Sequence, residues 1–314
     1  MAEYQDLSCG IYCLDSGYIQ REYAAIYLIQ EADEIAIIET GTFHSIPNVL
    51  ALMSDLGVSN DQVKYVIPTH IHLDHAGGVS AMMDLFEQAR LIVHPRGARH
   101  MIDPSRLVAG SMAVYGEEPF KRLYGEINPV DESRVDIAND LDVYSLAGRD
   151  LVFIDTPGHA RHHFCIYDAK SKGIFTGDTF GLSYPMFKDQ PHGLIPTSSP
   201  VDFDPEALIK SIDRLMDYQP ERMYLTHFGV VDQPQDKIGD FKLWVADYLA
   251  LCEKYNPLDG ASTKALEEAL RRMTVDKLVG SISSSADELL ALMSSDIRLS
   301  AQGLSIWWKA KHDV

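Results

Sequence analysis

The 314-residue sequence contains no apolar run approaching the ~18 residues that a membrane-crossing helix needs, so neither a membrane span nor a membrane partner is expected. Cysteine is scarce. Cys9, Cys13, Cys165 and Cys252 fall at irregular spacings that make no disulfide framework, and they read as free thiols of a reducing compartment, with Cys165 and Cys252 as small core residues. Cys9-x-x-x-Cys13 has neither the usual spacing of a redox or metal pair nor a second pair to accompany it. Basic side chains are few as well: 27 against 46 acidic ones, a net charge of −19, which repels polyanions and argues against a nucleic-acid partner. The opening Met1-Ala2-Glu3-Tyr4-Gln5-Asp6 lacks the basic and apolar stretches of a secretory signal, so a cytoplasmic enzyme is the expectation. There is no internal repeat and no low-complexity tail. The absence of a G-x-S-x-G elbow leaves a covalent serine route without support.

What is present is histidine in a pattern. Thr69-His70-Ile71-His72-Leu73-Asp74-His75-Ala76-Gly77-Gly78 packs three imidazoles and a carboxylate into six residues, directly after the β-branched run Val63-Lys64-Tyr65-Val66-Ile67-Pro68. The cluster therefore sits where a strand ends. On an extended backbone His70 and His72 share one face and can grip one ion together. Asp74 and His75 lie past the turn, where they can reach a second, and Gly77-Gly78 are expected to let the chain fold sharply. Such a centre needs further ligands. Three more apolar strands supply candidates at their ends: His159 after Leu151–Gly158, Asp178 after Ile174–Gly177, and His227 after Met223–Thr226, the last again as Thr-His.

These motifs resemble the five-part pattern of the metallo-β-lactamase superfamily, from about residue 20 to 230. The early acidic position is Glu39, in Ile37-Ile38-Glu39-Thr40-Gly41, where that family more often has Asp. The resemblance implies that His70, His72 and His159 hold one ion, that Asp74, His75 and His227 hold a second, and that Asp178 bridges both. It implies an α/β fold, the four-layer αββα sandwich of two similar halves. Pro157-Gly158-His159 followed four residues later by His163 is similar to glyoxalase-II-like and lactonase-like hydrolases, and other segments look like an uncharacterised bacterial subgroup of metal-dependent hydrolases.

Residues 1–234 read as the catalytic domain and 235–314 as a helical C-terminal extension. Helices are expected near 44–57 and after Asp204-Pro205, where Asp204 suits the cap, Pro205 the first turn, and Leu208, Ile212, Leu215 and Met216 a core stripe. Residues 96–130 form a long strandless connection carrying Arg96, Arg99, His100, Met101, Tyr115, Phe120, Arg122 and Tyr124, with His94 just before it. It reads as a lid over the metal site or as a packing or dimer insertion, and as a lid its arginines suit an anionic part of a small-molecule substrate. The extension, with amphipathic segments at 241–251, 263–273 and 287–293 and with Trp307-Trp308 near its end as an anchor, would bury its apolar faces on the catalytic domain, on a second subunit in a homodimer, or on the mouth of the site.

The ligand set predicts a dinuclear hydrolase in which a metal-bridging hydroxide attacks a thioester, lactone or phosphodiester. Asp74 would orient the water or take its proton, and His163 or Tyr184 would protonate the leaving group. Histidine and carboxylate without thiolate suit two divalent ions, zinc first, then iron or manganese. The alternative is a non-hydrolytic di-iron redox or metal-sensing protein on the same fold. Relatives that bind oxygen at two irons usually carry Glu where His72 stands.

Overall fold

The computed structural model describes residues 3–280 and 282–312, with the side chains at 114 and 115 outside the described residues, Tyr115 of the long connection among them. Contacts divide the chain into two compact units that interleave along the sequence: Met1–Asp155 with His162–Gly177 and Arg222–Val230, and Thr156–Arg161 with Asp178–Glu221 and Val231–Val314.

The first unit is built on strands with strict period-two alternation. One sheet has seven strands in chain order: β1 (Tyr4–Asp6), β2 (Ile11–Asp15), β3 (Ala25–Glu31), β4 (Glu34–Ile38), β5 (Val63–Ile67), β6 (Arg90–Val93) and β7 (Val135–Ile137). Ile26, Leu28, Ile35 and Ile37 face a core that also takes Val49, Leu52 and Met53 of α1 (Ile46–Leu56) and Met82 and Met83, beyond the single turn α2 (Leu73–Ala76), from α3 (Val79–Leu85). The alternate residues Tyr27, Ile29, Ala36 and Ile38 face a second core, shared with Leu151, Phe153, Phe164, Phe175 and Tyr224 of a second sheet. That sheet comprises β8 (Val143–Leu146), β9 (Arg149–Asp155), β10 (Phe164–Asp168), β11 (Gly173–Leu182), β12 (Arg222–His227) and β13 (Gly229–Asp232), in the order β13-β12-β11-β10-β9-β8. Both faces of the first sheet are thus covered, which is why its strands read as nearly continuous apolar runs. Arg149 and Asp168 cross-link β9 and β10 inside this unit, Nε to Oδ1 at 2.9 Å, with the carboxylate fully buried.

Pairing changes sense at β4. β1 to β4 pair antiparallel, whereas β4/β5, β5/β6 and β6/β7 are parallel. Because Ile38 lies opposite Ile67 in the parallel β4/β5 pair, the two chains leave the sheet side by side at their carboxyl ends. This places Glu39 beside Thr69 and His70. Residues 96–130 are not a loop: they form α4 (Ala98–Ile102), α5 (Ser105–Tyr115) and α6 (Glu117–Tyr124), and Met101, Phe120 and Tyr124 are buried. Their apolar residues serve packing, which explains a long stretch without strands.

The second unit contains α7 (Pro205–Met216), α8 (Ile238–Tyr255), α9 (Gly260–Leu278), α10 (Ala286–Leu292) and α11 (Ser294–Lys311). Asp204 caps α7 by accepting from the Glu206 and Ala207 amides, both at 3.0 Å, and Leu208, Ile212 and Leu215 are buried as the stripe predicts. Asn256, in the left-handed region at φ 45°, ends α8 and accepts the Trp308 indole N–H at 2.8 Å, which ties α11 to the end of α8. No helix among the described residues is long and apolar enough to cross a membrane.

Candidate metal centre

Glu39 organises the metal-facing end of the first unit. Its backbone adopts φ 65°, strained for a non-glycine residue, and its carboxylate is fully buried. Oε2 accepts the Thr69 amide at 3.0 Å, and Oε1 accepts the Thr69 hydroxyl at 2.5 Å, the Thr226 hydroxyl at 2.9 Å and His75 Nδ1 at 3.0 Å. The two Thr-His strand ends are therefore tied through their threonines to one carboxylate. Buried Tyr27 holds the end of β12 from beneath, its hydroxyl 2.5 Å from the Leu225 carbonyl oxygen; burial pushes this phenol well above its ordinary pKa, so it stays a donor.

These contacts set the ring tautomers. The carboxylate at His75 Nδ1 keeps a proton there, so Nε2 carries the lone pair. His227 Nδ1 donates to the Tyr23 carbonyl oxygen at 2.7 Å, leaving its Nε2, 3.3 Å from Asp74 Oδ2, with the lone pair. Thr69 gives its proton to Glu39 and can accept from His70 Nδ1 at 3.2 Å, which turns His70 Nε2 toward His72 Nδ1, 2.9 Å away. Ligand atoms of Asp74, His75 and His227 lie within 4.8 Å of one another, a donor set that fits a divalent ion. Gly77 and Gly78 have ordinary helical φ values of −65° and −89°, so no unusual backbone turn requires them. Close packing requires Gly78: a Cβ there would stand 2.5 Å from the Thr40 carbonyl oxygen.

In the second unit His159 and Asp178 come together, Nε2 to Oδ2 at 3.4 Å. Thr197 repeats the logic of Thr69, since its hydroxyl faces the Asp178 carbonyl at 3.4 Å and His159 Nδ1 at 2.9 Å, again leaving the imidazole's Nε2 for a ligand. Thr197 and Tyr23 carried no signal of their own in the sequence, whereas Thr226 was marked by the repeated Thr-His strand end.

The remaining candidates are placed differently. His163 is fully buried with its ring 4.9 Å from that of His70, and at Gly177, where φ is 48°, a Cβ would collide with His163 Nε2 and Thr69 Oγ1. Tyr184 is buried with its hydroxyl 3.3 Å from Asp296 of α11. His94 pairs with Asp155, Nε2 to Oδ1 at 2.9 Å, a structural role. His162, which no motif singled out, lies half-buried with its ring 5.6 Å from that of His72; burial, then the neighbouring His72, His94 and His100, push its pKa down to about 3. Its place directly before His163 was the one hint available.

The family model of the metallo-beta-lactamase superfamily matches residues 20–227, which spans all seven candidate ligands. The chain belongs to this superfamily. Within it, the metallo-beta-lactamase fold-containing protein ST1585 of Sulfurisphaera tokodaii is 27% identical over 195 residues, 58% of this chain and 70% of that protein. Human acyl-coenzyme A thioesterase MBLAC2 is 25% identical over 189 residues, 56% of this chain and 65% of its own length. Among solved structures, ST1585 from Sulfolobus tokodaii superposes with a TM-score of 0.64 at 21% identity, covering 94% of this chain and 98% of that one. The chemotaxis sensor ODP, described with a peroxy diiron species, gives 0.54 at 16% identity, covering 78% and 93%. This superfamily fold, two mixed sheets with helices and a helical C-terminal extension, is the fold of the chain.

Proposed function

We propose that this superfamily member is a metal-dependent hydrolase of an ester-type bond in a small molecule, with a thioester as the first bond to test. His70, His72 and His159 would hold one divalent ion, Asp74, His75 and His227 a second, and Asp178 would bridge them. The observation that carries this reading is the buried Glu39 carboxylate, which holds His75 by Nδ1 and both Thr-His strand ends, so that the lone pairs of the Asp74, His75 and His227 group converge. Bound there, two dications supply a water activated at neutral pH and a Lewis acid for a carbonyl oxygen.

The protein's own residues would do the rest. Asp74 remains partly exposed and can accept the proton of the attacking water. His163 and Tyr184 are the candidates to protonate the leaving group. Imidazole and carboxylate donors without thiolate favour zinc, with iron or manganese next. The human thioesterase supports the thioester over the lactone or phosphodiester. His72 speaks against the non-hydrolytic di-iron alternative, because it puts an imidazole where oxygen-binding relatives carry a carboxylate.

The test is elemental analysis of the purified protein together with a hydrolysis screen of a thioester, a lactone and a phosphodiester, with His70→Ala as control. About two metals per chain, and turnover that the variant loses, are expected. Metal-free protein, iron without hydrolysis, or activity that survives the substitution would overturn the reading.

A further inference from the structure

Residues 90–106 carry four arginines and two histidines against a single acid, Asp103, in a chain whose net charge is −19. Part of that charge is answered locally. Arg90 is paired with Asp136, and His94 with Asp155. Asp103 turns its carboxylate to the Ser105 amide at 3.1 Å and feels Arg106 only at a distance. Arg96, Arg99 and Arg106 are all exposed and form no ion pair among the described residues, although acids outnumber bases by 46 to 27. In such a protein three neighbouring guanidiniums left without carboxylates are not the outcome of surface charge balancing.

Their position matters as much as their charge. Arg99 Nε donates to His100 Nε2 at 3.1 Å, which uses only one of the guanidinium's donors and makes His100 an acceptor there. Burial, Arg99 and Arg106 together lower the pKa of His100, which keeps it neutral beside the two cations. Backbone packing carries this cluster to the His70–His72 strand end: a Cβ on Gly97, between Arg96 and Arg99, would stand 2.8 Å from Cγ2 of Ile71, whose amide donates to His162 Nδ1 at 3.4 Å, and the His162 ring lies 5.6 Å from that of His72. The cluster thus flanks the His72 side of the centre, within the same unit.

We propose that Arg99, bonded to His100, together with the exposed Arg96 and Arg106 of the same segment, forms a subsite for the phosphate-bearing end of the substrate. The guanidinium fork matches phosphate oxygens in pairs, and three forks exceed what one carboxylate can occupy, so a polyphosphorylated thioester carrier of the coenzyme A type fits this chemistry. This inference rests on the hydrolase reading for the reaction, but not for the binding.

The experiment compares a coenzyme A thioester with the same acyl group on N-acetylcysteamine, which has no phosphate, in the wild type and in the Arg99→Gln/Arg106→Gln double variant. Calorimetric titration with inorganic pyrophosphate and with coenzyme A accompanies it. For the coenzyme A thioester the variant should raise KM by roughly tenfold or more at unchanged kcat, leave the neutral thioester unaffected, and weaken binding of both anions to a similar degree. Equal KM values for the two thioesters in the wild type, or anion binding that the substitutions do not change, would overturn the subsite while leaving the hydrolase intact. Anion binding lost in the variant, with neither thioester hydrolysed by the wild type, would retain the subsite and sink the hydrolase reading instead.

Discussion

Glu39 is the residue on which most of the local architecture depends. It answers two hydroxyls, one amide and one imidazole from zero exposure, so truncation would strand several buried donors at once. Glu39→Ala is expected to cost about 3 kcal/mol in urea unfolding and, in elemental analysis after dialysis, to weaken metal retention roughly 10- to 100-fold. A wild-type midpoint in the variant would show that the carboxylate is not the anchor described. The sequence showed that an acid follows Ile38. It could not show that Thr69 and Thr226, far apart in the chain, both bind that acid, because such contacts depend on two strand ends meeting.

At the scale of elements, capping and buried pairing make separable contributions. Asp204 is exposed and its role is local, so Asp204→Ala should lower stability by about 1 kcal/mol without touching metal content. Asp168→Ala strips the buried Arg149 guanidinium of its main partner and should cost about 3 kcal/mol, read from the shift in denaturant midpoint. The long strands and α7 were legible because their periodicity and caps are strong. β1, β7 and β13, of three or four residues, are too short to show a period. α11 was hidden for another reason. Gly303 interrupts its sequence like a breaker, yet a Cβ there would collide with the Ser198 carbonyl, so the glycine serves close packing within a continuous helix.

For the molecule as a whole, the thiols offer a direct check on the core. Cys9 is exposed, whereas Cys13, Cys165 and Cys252 are buried, and burial pushes the Cys252 thiol up to about 12. Titration of native protein with a thiol reagent at pH 8 should show one fast equivalent, with the other three released only by denaturant. Two or more fast equivalents would contradict the packing. Because ions bound to the donor set favour the folded state by mass action, chelation should lower Tm, and His227→Ala should shrink that shift.

The sequence by itself determined the family, the αββα fold class and the seven candidate donors, since H-x-H-x-D-H and the apolar runs before His159 and His227 are local patterns that chain spacing preserves, although Asp178, expected at a strand end, lies inside β11. Only the tertiary structure decided which atom of each donor is presented. That choice is made by partners remote in sequence: Glu39 for His75, Tyr23 for His227 and Thr197 for His159. The physical reason is that a neutral imidazole has one proton and one lone pair, and the group that takes the proton, wherever the fold brings it from, fixes where the lone pair points.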